Sequence, residues 1–423
     1  MKLRLTVLLV AAHVGFLVAA GAQPKSSDHW VATWATAETL VRTPPPAAPA
    51  AAPSAAAPRN APVGAQGFHN QTVRMTARVS IGGRRLRVKI ANAFGAAPLA
   101  VGAAHIALRG KDSEIVAASD HALSFAGKPG CAIGPGVVMI SDPVDMTVAP
   151  LAELSVSLYF PGETGPPAGH STGLHYSYIK EGDTTGEVSM ADAQKTQQYY
   201  WLAGIDVLAP AGAAAIVAFG DSITDGARSD TETNHSWPAL LGARLAANRA
   251  TAQIGVANMG IGGNRVLRDI TGASALARFD RDVLSQSGVK WVMILEGIND
   301  IGHAVGKPDE AVTAEELIAG HKMLIEMAHA HGIRAIGCTL IPYEGAGYSR
   351  ENGEAVREAL NTWIRTSGAY DAVVDFEAAT RDPANPKRIR PEFDPGDHLH
   401  PNNLGYEAMA NAVDLSLFGG KKK

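Results

Sequence analysis

The 423-residue chain is 46% hydrophobic and 18% charged, which excludes a disordered polymer and provides core for two domains. Its formal net charge of −4 offers no basic face, which argues against nucleic acid as a partner. The chain opens with Lys2 and Arg4, a mainly apolar run over residues 5–20 and the small-residue site Ala20-Gly21-Ala22. That is the pattern of a signal peptide over 1–22, cleaved near Ala22. The run is too short for a membrane anchor and is followed by Pro24, and no later stretch reaches spanning length. The expectation is an exported protein, periplasmic or secreted, with no integral membrane association after cleavage.

Residues 23–208 read as a β-rich domain. Residues 29–37 alternate like a strand and carry Trp30 and Trp34. Residues 44–63 are so rich in Pro and Ala that no stable helix is expected, and they read as an extended loop within this domain. Residues 72–81 and 85–91 alternate at period two, and Gly82-Gly83 between them predicts a hairpin. Further short strands are expected at 104–108, 137–140 and 154–160, the spacing of a β-sandwich or jelly roll. Trp30, Trp34, Tyr176, Tyr178, Tyr199, Tyr200 and Trp201 offer material for a sugar-stacking platform, but read first as sandwich core or domain interface.

The pattern changes over residues 209–418. Apolar runs at 214–219, 253–258, 289–295, 333–340 and 372–376 are each followed by a helical stretch, at 237–248, 274–284, 313–331, 352–367 and 403–418. Strand–helix alternation of this kind predicts a doubly wound, flavodoxin-like parallel sheet of five strands. Residues 419–423 read as a basic tail. Cys131 and Cys338 fall in different domains, and Cys338 lies in a strand pattern, so both are expected to be unpaired. No CxxC or HExxH pattern suggests a metal ligand set, and no cofactor is expected.

The chemistry sits just after the predicted strands, where ligands bind in open α/β sheets. Gly220-Asp221-Ser222 turns out of the first strand and presents a serine near free backbone N–H groups. Gly260-Ile261-Gly262-Gly263-Asn264-Arg265 follows the second, where glycine lets backbone approach a ligand. It lacks the third glycine of a dinucleotide fingerprint, because Arg265 stands there. Gly297-Ile298-Asn299-Asp300 follows the third strand and brings a side-chain amide able to donate to an oxyanion. Asp397-His398-Leu399-His400 precedes the last helix, and its Asp and His three apart suit a carboxylate holding an imidazole. Asp221 is placed to cap the helix after Ser222, and Asp300 to buttress the Asn299 loop. His398 is the rival base, with a spacing to Asp397 less suited to pairing.

These four blocks, in this order, resemble the SGNH (GDSL-type) hydrolase superfamily, with Ile223 where the shorthand motif has Leu. The segments HWVATWATA, VSIGGRRLRVKIANAFG and LEGINDIG resemble exported bacterial two-domain members, a branch described as lysophospholipase-like or as acyl esterases. The resemblance implies Ser222 as nucleophile, His400 as general base and Asp397 as its orienting acid. It implies an oxyanion hole from the N–H groups of Ser222 and Gly263 and the side chain of Asn299, with Gly262 as the neighbouring alternative. Asn264, Arg265, Tyr343 and Glu344 fall in loops after strands two and four and are expected to line the substrate pocket.

The implied activity is carboxylic ester hydrolysis through an acyl-enzyme. Short acyl esters of carbohydrates or small molecules lead, because no apolar amphipathic insertion reads as a lipase lid. The alternatives are a lysophospholipase, lipid or aryl esterase, an acyltransferase using the same acyl-enzyme and, last, a non-catalytic binding module.

Overall fold

The computed structural model describes residues 29–40, 64–304 and 307–419. The expected signal peptide at 1–22, the Pro/Ala-rich loop at 44–63 and residues 420–423 of the tail lie outside them. Five strands, β1 (Ala214–Gly220), β2 (Ile254–Gly260), β3 (Val289–Leu295), β4 (Arg334–Cys338) and β5 (Ala372–Val374), form one sheet in the order β2-β1-β3-β4-β5. Every pairing is parallel. β1 is buried at all its positions, which explains why its sequence is a continuous apolar run rather than an alternating one. The order reverses direction between β1 and β3, so a crevice opens at their carboxyl ends.

The helices are α1 (Ser222–Asp225), α2 (Trp237–Ala247), α3 (Ala275–Phe279), α4 (Ile298–Gly302), α5 (Ala314–Ala330), α6 (Glu351–Thr366), α7 (Phe376–Thr380) and α8 (Asn403–Ala412). α5 starts at a capping box in which Thr313 and Glu316 satisfy each other's backbone N–H. Two expected helices are shorter than predicted. The stretch 274–284 ends as α helix at Phe279 and continues as a π turn over Asp280–Leu284. The last helix stops at Ala412, before a 3-10 turn at Leu415–Leu417. Among the described residues no helix is long and apolar enough to cross a membrane.

The N-terminal region packs two antiparallel sheets. One has six strands in the order Gln194–Thr196, Ser177–Glu181, Gln71–Arg78, Glu153–Phe160, Ala103–Leu108 and His121–Ala122. The other runs His29–Ala35, Leu202–Ala209, Gly83–Ala91 and Val144–Val148, with Val138–Ile140 also pairing with Gly83–Ala91. Val73, Met75, Val156 and Leu158 of the first and Leu86, Val88, Ile205 and Val207 of the second share one buried apolar cluster, as in a β-sandwich.

The predicted hairpin at Gly82-Gly83 is not formed. Gln71–Arg78 pairs with Glu153–Phe160 and Ser177–Glu181, while Gly83–Ala91 pairs in the other sheet, so the turn carries the chain across the sandwich. The polar half of the 71–78 alternation faces protein rather than water. Arg74 is buried, donating to the Ser157 hydroxyl and to the carbonyls of Ser113, Thr184, Thr185 and Glu187. Tyr178, Tyr199, Tyr200 and Trp201 are buried, and Trp34 meets Tyr199 edge-on, so these aromatics serve the core. Cys131 and Cys338 are unpaired.

The last N-terminal strand ends at Ala209 and β1 begins at Ala214. The two regions meet along β2. The Ser80 hydroxyl donates to Thr33 O at 2.7 Å and accepts from Val256 N at 2.8 Å. A Cβ at Gly255 would fall 2.3 Å from Ala32 O, so only glycine allows this approach. Ala32 N donates to Ser287 O at 2.8 Å, and Arg87 and Lys89 converge on the buried Asp206 beside Ser287.

Candidate active site

β1 ends at Gly220, where a Cβ would meet Leu295 O at 2.4 Å, so the chain must leave the sheet through a glycine. Asp221 follows in an extended conformation and caps α1, its Oδ1 accepting from Ile223 N at 2.9 Å. That leaves Ser222 as the first residue of α1, with an N–H that has no protein acceptor among the described residues.

His400 lies two residues before the Asn402 cap of α8. Its Nε2 is 2.8 Å from Ser222 Oγ and its Nδ1 is 2.9 Å from Asp397 Oδ2. Asp397 Oδ1 accepts from the N–H groups of Leu399 and His400, which folds the turn around the carboxylate. Oδ2 also accepts from Arg228 Nε at 2.8 Å. Burial opposes ionisation of Asp397, but the bonds from His400 and Arg228 outweigh it and hold the carboxyl well below its ordinary range. The rival His398 has a left-handed backbone, φ 58°, and its Nδ1 is bound by Asp394 instead.

The second strand end supplies a tight turn. Asn264 N donates to Ile261 O at 3.0 Å, and Gly263 has φ 78°, the pattern of a type II turn that favours glycine in third place. Neither the Gly262 nor the Gly263 N–H has a protein acceptor among the described residues. Gly262 lies beside the serine, since a Cβ there would fall 3.9 Å from Ser222 Cβ. Asn299 sits in α4 with its amide oriented at both ends. Nδ2 donates to Asn264 O at 3.0 Å, and Oδ1 accepts from Tyr348 OH at 3.3 Å. One Nδ2 hydrogen remains for another acceptor.

Asp300 buttresses the glycine turn rather than its own loop, accepting from Val266 N at 2.7 Å and Leu267 N at 3.1 Å. Burial pushes its carboxyl up to about 6 against the pull of those N–H groups. Burial also pushes Asp221 up to about 7, with the Asp300 charge adding to the shift. Glu296, one residue past β3, is raised well above its ordinary value by burial and by Asp221.

Two residues that sequence reasoning did not single out, Arg278 and Glu296, hold this constellation together. Arg278, in α3, is fully buried over the Phe219 ring. It donates to Gly220 O and Met259 O at the ends of β1 and β2, and to Asn264 Oδ1 in the glycine turn. Its remaining partners are the carboxylates of Asp282 and Glu296. The available signals were a lone cation in the apolar stretch Ala275–Phe279 and a lone acid directly after an apolar strand.

The expected pocket residues are not where the sequence reading put them. Asn264 is buried with its amide bound to Thr271 O, Ala273 O and Arg278. Arg265 is buried in an ion pair with Glu310 at 2.8 Å. Tyr343 is fully buried. Only Glu344 reaches the surface, held by Asn385 and Arg388. Loops after strands are not uniformly solvent-facing, and here the polar groups of three of the four residues were drawn into the protein. His329 pairs with Asp371 and His331 with Met327 O at the end of α5. The described residues contain no group of three His, Cys, Asp or Glu side chains able to hold a metal ion.

Residues 216–413 match the family model of the GDSL-like lipases/acylhydrolases. Among solved structures, the chain is similar to Axe2, an acetylxylan esterase from Geobacillus stearothermophilus, at 25% identity over 49% of this chain and 95% of that one, with a TM-score of 0.38. It is also similar to LAE5, an alpha/beta hydrolase enzyme from the metagenome of Lake Arreo, at 25% identity over 47% and 94%, TM-score 0.37. A GDSL-like lipase from Bacteroides thetaiotaomicron matches at 20% identity over 48% and 87%, TM-score 0.37. No curated protein matches the chain. Residues 216–413 thus form a GDSL-like lipase/acylhydrolase domain of the SGNH (GDSL-type) hydrolase superfamily, a hydrolase domain acting on esters.

Proposed function

We propose that the protein is an exported serine esterase that cleaves short-acyl esters, acetyl esters of carbohydrates or small molecules first among them, through an acyl-enzyme on Ser222. The observation that carries this reading is the unbroken hydrogen-bond chain Ser222 Oγ, His400 Nε2, His400 Nδ1, Asp397 Oδ2, with links of 2.8 and 2.9 Å. In it, Asp397 fixes the imidazole tautomer so that Nε2 faces the serine hydroxyl. His400 takes the hydroxyl proton as Oγ bonds to the ester carbonyl carbon. The oxyanion is held by the N–H groups of Ser222 and Gly263 (or Gly262) and by Asn299 Nδ2, each donor contributing about 10²–10³ in turnover. His400 then passes its proton to the leaving alcohol, and a water activated by the same imidazole releases the acid from Ser222.

The short-acyl part of the reading rests on the sequence, which carries no apolar amphipathic insertion that reads as a lipase lid. Export is supported by the signal-like run at 1–22.

The test is hydrolysis of p-nitrophenyl acetate, butyrate and palmitate by the wild type and Ser222→Ala. We expect turnover of acetate and butyrate, a sharp fall at palmitate, and no turnover by the variant. Palmitate turned over as fast as acetate overturns the short-acyl reading. A variant as active as the wild type removes Ser222 from the mechanism.

A further inference from the structure

We propose that the N-terminal β-domain is a positioning part of the hydrolytic site, acting through the loop at residues 226–236, whose Arg228 shares the Asp397 carboxylate with His400. The proposal rests on the reading of Asp397 and His400 given above.

The loop follows α1 directly and is clamped from one side by the β-domain. Glu232 is the anchor. Its Oε1 accepts from Tyr176 N at 2.6 Å, and its Oε2 meets Arg109 Nη1 and, at 3.3 Å, His175 Nδ1. Glu232 N donates to Leu174 O at 2.8 Å. Two residues on, Asn234 bonds His175 Nε2 at 2.9 Å and Glu153 Oε1 at 3.0 Å, and Thr231 accepts from Gln197 at 3.0 Å. Burial works against ionisation of Glu232, yet His175 and Arg109 hold its carboxyl down at about 2, so Glu232 is ionised at neutral pH.

The other side of the loop faces the candidate site. Arg228 Nε reaches Asp397 Oδ2, the oxygen that also takes His400 Nδ1. Asp230 and Asn403 exchange two bonds, Asp230 N to Asn403 Oδ1 at 3.0 Å and Asn403 Nδ2 to Asp230 Oδ2 at 2.9 Å, which fixes the first turn of α8 just behind His400. Between these two sets of contacts the backbone is strained. Arg228, Glu232 and Asn234 all have left-handed φ, 71°, 67° and 57°, and none is glycine. Three such residues in seven persist only where surrounding contacts over-determine them, and for two of the three those contacts come from the β-domain.

A second hold reaches the last residue of α1, just ahead of the loop. His170, buried in the β-domain, places Nδ1 2.9 Å from Ala37 O and Nε2 2.8 Å from Asp225 Oδ1. Both ring nitrogens face acceptors; burial opposes protonation of the ring, but the Asp225 carboxylate beside it outweighs burial and raises its pKa above the ordinary value. The β-domain thus holds the segment that follows Ser222, from the end of α1 through the loop, without contributing a group to the reaction. Arg228 is a positioning residue: it pins the carboxylate that orients His400.

The test is a double-mutant cycle in the full chain with Glu232→Gln, Arg228→Gln and both together. Arg228 is 60% exposed, so its variant folds even if the Glu232 change proves disruptive. The readouts are kcat and KM on p-nitrophenyl acetate and hydrogen exchange of the peptides covering 226–236 and 394–403. We expect each single change to lower kcat about tenfold with KM nearly unmoved, and the double variant to be no worse than Arg228→Gln. We also expect Glu232→Gln to speed exchange in 394–403, across the loop from the substitution. Additive losses in kcat, or unchanged exchange in 394–403 with faster exchange confined to 226–236, overturn the proposal. Exchange needs no turnover, so it decides the question even if the wild type proves inactive on esters, a result that would count against the esterase reading instead.

Discussion

Replacing Gly263 by alanine isolates what the glycine turn does. At φ 78° an L-residue costs about 1–2 kcal/mol relative to glycine. The added Cβ would also sit 3.0 Å from Thr271 Oγ1, tight enough that the Thr271 side chain must yield. Gly262 is the matched control, because its φ is not in the left-handed region and a Cβ there would meet only Ser222 Cβ, at an ordinary 3.9 Å. Gly263→Ala is therefore expected to lose about 1–2 kcal/mol, a drop in Tm of about 2–4 °C per kcal/mol for a domain of this size. Gly262→Ala is expected to leave Tm nearly unchanged. If the turn relaxes to relieve the strain, the Gly263 N–H turns away and kcat falls about 10²–10³-fold with little change in KM. Thermal melts and steady-state kinetics on p-nitrophenyl acetate read both effects. Equal stability of the two variants would refute the backbone argument. Full kcat in a destabilised Gly263→Ala would remove Gly263 from the oxyanion site and leave Gly262 as the donor.

Arg278→Met should destabilise the chain by about 3–5 kcal/mol, since it strands Glu296 and the carbonyls of Gly220 and Met259 in the interior; urea unfolding measures it, and a loss under 1 kcal/mol would contradict the network described. Asp300 has a folded-state pKa raised from 3.8 to about 6, so its contribution is fully present below about pH 4 and is lost as pH rises through 6. The span is about two units, or about 3 kcal/mol, and Asp300→Asn should flatten that part of the stability-against-pH curve measured in urea between pH 4 and 8. Asp397→Asn removes the group that fixes the His400 tautomer and should lower kcat about 10³–10⁴-fold, checked by steady-state kinetics on the folded variant. Gly255→Ala forces a Cβ against Ala32 O and should cost about 1–3 kcal/mol at the seam between the two regions, read as a lower Tm.

The hydrolase sheet was legible because its strands are largely buried and so appear as apolar runs, and because a helical stretch follows each of them. Three of the reactive blocks were legible because each lies next to its own strand end in sequence, and the fourth because its Asp and His stand three apart just before the last helix. Arg278 was not, since its partners are strand-end carbonyls 19 and 58 positions away, and no local pattern encodes such a pairing. The hairpin was misread for a related reason. Alternation reports that one set of side chains differs from the other, not that the polar set meets water, and Arg74 found carbonyls instead. Asn264, Arg265 and Tyr343 were assigned to a pocket from their place after strands, but side-chain burial is set by tertiary packing that the loop sequence does not reveal.

β2 is the outermost strand of the parallel sheet, and one edge of it carries backbone groups that β1 does not use. Val256 N points out of the sheet and is met by the Ser80 hydroxyl of the β-domain. A strand edge left open is a template on which other chains can add strands. The β-domain therefore acts as a stopper for the enzyme sheet, a service independent of any substrate. A hydrolase domain cut free at about residue 210 would present that bare edge to its own copies. Its expected failing is self-association during expression rather than loss of the strand order, and a polar or proline substitution along β2 would be the first remedy for anyone trimming this protein to its hydrolase domain.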